Sequence, residues 1–435
     1  MAEELLINNW RNGKMRGHVY PMAGDTAEKA ERSAECEPGG FMEDTEKNYG
    51  REIRATWEKQ PDSFPDFLMK NAHLFPVNEP WQKKENEAFV QEFSKRVQKK
   101  LRQKPKDREL QNEWEQEIEQ EFTEFLEREK ILNLSEWMSP VLLNAFKCET
   151  KYFVHRVRSF DDTLTPAQIW QTLRNYFIYA MIVDLQGEEQ HAGDPILAYS
   201  LLYPYTDNYI DDHQISIQDK EQYNRMIALK LKGESAAPQN ALEEKTCRLL
   251  DMILEPYEGS AKKKIAGTLL ELLEAQNNSI RQQKTDITEE QILEISMWKG
   301  STSVLADYLF ATTKWTEYEE NFYLKFGFIL QLVDDLQDID EDRKSGSRTL
   351  MTEAEKQQKL EQCTNRLLWF TWNVIREFNP INSLLKGFVL KYCVEISLMT
   401  AAVNQQFFSE KYLKALEPYL PFSNDFLKKM KKQKK

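Results

Sequence analysis

From about residue 135 onward the chain is a succession of long apolar stretches at helical spacing, and this constrains its fold more than any other feature. The stretches are Pro140–Val157, Pro166–Leu185, Pro195–Asp212, Leu242–Leu254, Lys262–Ile280, Glu289–Thr312, Glu317–Asp342, Glu355–Phe378 and Ile381–Phe408. Each is longer than an ordinary strand, and Pro166 and Pro195 suit the first turn of a helix. Only 15 Gly and 16 Pro occur in 435 residues, too few for a chain built from strands and tight turns. The pattern predicts roughly nine helices in one large all-α bundle or barrel. No fixed-period repeat is visible, which sets solenoids aside.

Upstream the texture differs. Residues 1–50 mix Gly, Glu, Lys and Thr without a period and are expected to be irregular or disordered. Residues 51–134 form an N-terminal extension. It opens with Pro61, Pro65, Pro76 and Pro80 among aromatic residues, an ordered but irregular segment. Phe89, Phe93 and Val97, then Trp114, Ile118, Phe122, Phe125 and Leu126, recur at helical spacing. They predict two charged amphipathic helices broken near Pro105. Residues 135–435 carry the main helical domain.

The net charge of −13 argues against a partner held by its phosphate backbone. The five cysteines, Cys36, Cys148, Cys247, Cys363 and Cys393, are odd in number and far apart, and read as reduced thiols with no zinc site. Met1 to Trp10 lacks the basic-then-apolar pattern of a signal peptide, and no run of 18 apolar residues is present. These features predict a cytoplasmic protein without a transmembrane segment.

Two acidic clusters carry the chemistry. In the sharper one, a helix apolar nearly all round from Phe322 to Val333 runs straight into Asp334, Asp335, Asp338 and Asp342. Residues 334, 338 and 342 step by four and would share one helix face. Like charges at that spacing destabilise a helix, and buried carboxylates need a compensating cation. The second cluster, Asp207, Asp211 and Asp212, repeats the four-residue step at the end of the apolar run Ile196 to Tyr205. Two such helices facing each other make an all-oxygen site of the kind Mg²⁺ chooses, with positions left for water and substrate phosphates. A calcium loop starting at Asp338 is a poor alternative: its sixth position is Arg343 where Gly is needed, and its twelfth is Thr349 where Glu is needed.

The phrase Phe328-Ile-Leu-Gln331-Leu-Val-Asp334-Asp335-Leu-Gln-Asp338 resembles the second aspartate-rich motif of trans-isoprenyl diphosphate synthases. Its continuation through Asp342-Arg343-Lys-Ser-Gly346 also resembles that of squalene and phytoene synthases. Asp207-Asn-Tyr-Ile-Asp211-Asp212 resembles the first metal motif of this superfamily, the class I isoprenoid synthases, and 127 residues separate Asp207 from Asp334. Between them, Thr288 to Thr302 is similar to the helix that carries a diphosphate-binding lysine, here Lys299.

The resemblance covers about residues 135–435 and implies an α-helical barrel with a deep apolar cavity. It implies Mg²⁺ at the cavity mouth, three ions in the usual arrangement, bridging Asp207, Asp211, Asp212, Asp334, Asp335, Asp338 and Asp342 to a substrate diphosphate. Breaking an allylic C–O bond charges the departing diphosphate, which metal ions and cations stabilise. Lys299, Arg343 and Arg348 are the candidate cations. Tyr203, Trp298, Phe310, Phe326 and Phe328 are candidates for lining the pocket, and Ser345 and Gly346 for a lid hinge.

Chain-elongating synthases carry an Arg-Arg pair shortly after the first motif; here His213 to Lys220 has none. The Asn-Asp-x-x-Ser-x-x-x-Glu motif of many terpene cyclases is also absent, and the large-substrate terpene synthases of bacteria offer a precedent for such atypical motifs. The expected activity is therefore a terpene synthase, a lyase that eliminates or cyclises one prenyl diphosphate. A prenyl-elongating or head-to-head condensing transferase is the alternative within enzymes, and an inactive helical scaffold the alternative outside them. The resemblance allows a homodimer, and the six lysines from Lys428 to Lys435 allow weak contact with an anionic membrane surface.

Overall fold

The computed structural model describes residues 43–433 apart from 104, 106, 213, 284 and 285; the side chains of Asp207 and Asp211 also lie outside the described set. Among the described residues there is no strand, and the chain is an all-α bundle with an N-terminal helical extension. That is the fold class the sequence predicts.

The extension comprises α1 (Glu43–Glu58), α2 (Phe67–Lys70), α3 (Pro80–Arg102) and α4 (Arg108–Arg128). Residues 43–50, expected to be irregular, belong to α1. This helix lies along the outside of the bundle, where Trp57 meets Phe328 and Phe370 edge-on at 5.6 and 5.7 Å. The predicted amphipathic pair is a hairpin. Phe89 and Phe93 pack on Phe122 and Phe125, and the Trp114 indole donates to Lys100 O at 2.7 Å. Its opposed charges pair across the seam, Arg96 with Glu121 and Lys100 with Glu117.

The bundle follows: α5 (Leu134–Trp137), α6 (Pro140–Phe160), α7 (Pro166–Leu185), α8 (Asp194–Asp211), α9 (Ile217–Leu231), α10 (Ala241–Leu254), α11 (Gly259–Ser279), α12 (Glu289–Ala311), α13 (Glu317–Gln337), α14 (Ile339–Ser345), α15 (Leu350–Lys356), α16 (Leu360–Glu377), α17 (Ser383–Val403), α18 (Glu410–Leu416) and α19 (Asn424–Gln433). The proline-led starts are as expected, and Ser139, Thr165, Thr288 and Thr316 each cap the helix that follows with a side-chain oxygen. Helices α7, α8, α12, α13 and α17 close a ring, with α10 outside α8, α11 outside α12 and α16 outside α13.

Besides residues 43–50, other features depart from the sequence reading, among them the stretch expected from Glu355 to Phe378, which is split between α15 and α16. Helix α9 was not foreseen, although Tyr223, Met226, Ile227 and Leu231 give it a buried face. The stretch expected to run unbroken from Glu317 to Asp342 stops at Gln337 and restarts at Ile339.

The tightest crossing is α12 on α13. A Cβ added to Gly300 would fall inside contact distance of Gly327 O and within 2.6 Å of Gln331 Cβ. One added to Gly327 would strike Gly300 O. The Ser301 hydroxyl donates to Leu324 O at 2.7 Å across the same crossing. Only glycine permits this approach, and it fixes α12 against the acidic end of α13.

Candidate active site

Asp334 and Asp335 lie in the last turn of α13 and have different surroundings. Asp335 is 6% exposed. It accepts from the Gln331 amide at 2.8 Å and from the Ser296 hydroxyl at 3.3 Å, so α12 and α13 hold it between them. Burial pushes its carboxyl up to about 7, and the negative charges of Asp334 and Asp342 push the same way, against Gln331 and the Lys299 ammonium. Asp342, on α14, is raised to about 6 by burial and by Asp334 and Glu341, again opposed by Lys299. Lys299 thus faces the same cluster of carboxylates from α12, one turn after Ser296.

Asp334 remains half-exposed and has a partner that sequence reasoning missed: Arg174 of α7, with its guanidinium 3.7 Å away. Nothing around Arg174 in the sequence marks it, because its relation to Asp334 exists only once the ring closes. The site therefore carries cations on two sides, Lys299 and Arg174.

Helix α8 carries the first motif. Asp207 and Asp211 stand on its last two turns, with their side chains outside the described set, and Asp212 is the exposed residue that ends it. The Asp212 carboxylate accepts from Gln214 N at 2.8 Å. One turn before Asp207, the Tyr203 hydroxyl meets Ser303 Oγ of α12 at 2.6 Å, with Tyr199 OH 3.3 Å away. Between Gly300 and Leu309 every α12 residue is buried except Ser303, which is part-exposed, as is Tyr203. Ser303 is thus the part-exposed position of that stretch, one turn after Lys299.

The remaining candidates have other partners. Arg343 pairs with Glu355 at 3.1 Å and lies over the Phe407 ring. Arg348 is bound through Nε and Nη2 to Glu353 and through Nη1 to Ile287 O. Trp298 has its ring against Gly50 of α1 and lines an outer groove of about 600 Å³ with Arg54, Glu290 and Glu294. Phe326 and Phe328 are core, and Phe310 packs on Tyr199. Asp338 sits in the break between α13 and α14. Gly346 ends α14 at φ +77°, with open space where a Cβ would be.

The donor chemistry fits a hard divalent cation. The donors are all oxygen, and Asp335 and Asp342 are carboxylates raised towards protonation by burial and by neighbouring carboxylates, opposed by Lys299. The described side chains do not close a cage by themselves: no group of three or more His, Cys, Asp or Glu among them is gathered tightly enough to hold a metal. No described helix is long and apolar enough to cross a membrane.

No protein-family model matches the chain. No curated protein matches it either. A solved structure described as a geranyltransferase from Legionella pneumophila is similar at 16% identity over 60% of this chain and 96% of its own, with a TM-score of 0.36. That likeness is too loose to bear on fold or function.

Proposed function

We propose that this chain is a class I isoprenoid synthase that ionises a prenyl diphosphate with the help of Mg²⁺ and then eliminates or cyclises the carbocation. The observation that carries the reading is the buried Asp335, held by Gln331 and Ser296 beside Asp334, Asp342 and Lys299. A carboxylate so placed is costly to a fold unless a cation uses it. The resemblance of the two aspartate motifs and the lysine segment points the same way.

Asp334, Asp335 and Asp342, together with Asp207 and Asp211 of α8, would hold the metal. When bound, Mg²⁺ supplies charge stabilisation for the departing diphosphate. Lys299 on α12 and Arg174 on α7 would add two cations to stabilise the charge of that diphosphate. Ser296 and Gln331 fix the orientation of the Asp335 carboxyl. The part-exposed Ser303 and Tyr203 would meet the start of the prenyl chain, and the packed helices around them would exclude water from the carbocation.

A second reading, a prenyl-elongating transferase, is favoured by Arg174. A second cation at Asp334 is suited to a second diphosphate, although no Arg-Arg pair follows the first motif. The deciding experiment incubates the protein with Mg²⁺ and prenyl diphosphates of increasing length, with and without isopentenyl diphosphate, and identifies products by mass spectrometry. Products from one substrate alone support the lyase; products only with isopentenyl diphosphate support the transferase. Absence of diphosphate release in every arm leaves the inactive scaffold.

A further inference from the structure

The break at Asp338 is built, and its builder lies far away in sequence. Helix α13 ends with Asp338 N bonded to Asp334 O, and Glu341 N and Asp342 N both return to Asp338 O at 2.8 and 2.9 Å. A helix that stops leaves its last carbonyls without intrahelical partners. Two of these, Leu336 O and Gln337 O, accept from one side-chain amide, Asn404 Nδ2, at 2.9 and 3.2 Å. Asn404 is 1% exposed and ends α17. Its own Oδ1 accepts from the Lys431 ammonium of α19. Three residues on, the Phe407 ring lies 5.5 Å under the Arg343 guanidinium of α14. The turn 404–407 therefore holds the acidic segment at two points, one on each side of Asp338.

We infer that Asn404 is a positioning residue for the acidic site, seating the break that carries Asp338 and Asp342 beside Asp334, and that Lys431 locks Asn404 in that role. The inference rests on the proposed function only for what the seated carboxylates bind. A single amide bridging two carbonyls sets the direction in which α14 leaves α13. That direction decides whether Asp342 comes back to Asp334 and Lys299. Lys431 removes the alternative in which the amide turns over, since an ammonium donates to Oδ1 and repels the NH₂ end. The C-terminal helix, whose Phe426 and Leu427 are buried, thereby acts on the site without reaching it.

The test uses the full chain and inorganic pyrophosphate, titrated by calorimetry at a series of Mg²⁺ concentrations. Asn404→Ala is expected to raise the Mg²⁺ needed for half-maximal pyrophosphate binding about tenfold, the usual scale for losing a residue that orients metal ligands. Lys431→Met should give a smaller shift in the same direction, and Lys431→Arg should restore it. Asn382→Ala, which removes the cap at the other end of α17, controls for stability and should lower Tm without moving the Mg²⁺ requirement. An unchanged Mg²⁺ requirement in Asn404→Ala, with Tm lowered, overturns the inference. If the wild type binds no pyrophosphate at any Mg²⁺ concentration, the proposed function falls, and hydrogen exchange then decides the inference alone. Selective loss of protection at the amides of Asp338, Glu341 and Asp342 in Asn404→Ala sustains it; unchanged protection there overturns it.

Discussion

Gly300 and Gly327 meet back to back where α12 crosses α13, each occupying the space that a Cβ on the other would need. Lys299 is the residue before one of them, and Asp334 and Asp335 lie two turns beyond the other. The distance between the ammonium and the carboxylates is thus set by two missing methyl groups. Gly300→Ala or Gly327→Ala should cost about 3 kcal/mol or more, since the added carbon meets backbone and not a movable side chain. Denaturant unfolding monitored by circular dichroism measures the loss; a change under 1 kcal/mol would mean that the helices slide apart freely.

Metal dependence follows from the carboxylate cluster. EDTA should abolish diphosphate release and Mg²⁺ should restore it. Asp334→Asn and Asp335→Asn should each lower kcat by at least about 10²-fold, because charge stabilisation by the metal is worth several kcal/mol. Either variant turning over at the wild-type rate would remove that residue from the metal site.

Asp307 gives a pH test outside the site. It is fully buried on α12, and one oxygen accepts from Asn175 Nδ2 at 3.1 Å. Burial holds its carboxyl well above the ordinary range, with Asn175 pulling weakly the other way. Its folded pKa therefore exceeds the unfolded value, and folding takes up a proton. The contribution of this group is full below about pH 4 and declines as pH rises through the folded pKa. Asp307→Asn keeps an acceptor for Asn175 and removes the ionisation. Its Tm should exceed that of the wild type at neutral pH, by a margin that shrinks on acidification. A constant difference across pH 4–8 would show that Asp307 does not titrate as argued.

Tyr203 separates packing from substrate selection. Its hydroxyl is tied to Ser303, yet the ring is part-exposed one turn below Asp207. Tyr203→Ala should shift the ratio of kcat/KM values towards longer prenyl diphosphates, and Tyr203→Phe, which keeps the ring and loses the hydroxyl's bonds to Ser303 and Tyr199, should not. A fall in Tm with the ratio unchanged in Tyr203→Ala would assign the ring to the core.

Trp298 and Arg348 are expected to behave differently from Lys299. Trp298→Ala removes a ring wedged against Gly50, and Arg348→Met leaves Glu353 with Lys356 alone. Both should lower Tm, with kcat/KM within about threefold of wild type. Lys299→Met should do the reverse. Equal losses of kcat/KM in all three would return Trp298 and Arg348 to the diphosphate site.

Sequence periodicity was enough for the fold class and for the buried helix that delivers Asp334 and Asp335, because an apolar run ending in stacked carboxylates is a local pattern. Lys299 was singled out only by the resemblance of Thr288 to Thr302, since no local pattern of charge or periodicity marks it. The break at Asp338 was not. A four-residue step reads as one straight helix, and the amide that interrupts it comes from residue 404. Arg174 was hidden likewise, since its partner is 160 positions away. Helix α9 was overlooked because its buried face is narrow and its other positions, such as Lys220 and Glu221, read as a polar loop. Arg343 and Arg348 follow the second motif closely in sequence, but α14 and its turn direct them to Glu355 and Glu353.

The extension is fastened to the far end of the chain. Asn78 N donates to Pro418 O at 2.8 Å, Lys83 reaches Glu417 O, Asn86 reaches Pro421 O, and Ser423 N donates to Glu87. The start of α3 therefore waits during synthesis for partners some 335 residues behind it. At about 5–20 residues per second, that wait lasts on the order of 20–70 s. Through that interval α3 stands without the carbonyls that Lys83 and Asn86 meet in the finished fold, so its outer flank is the last part of the extension to be covered.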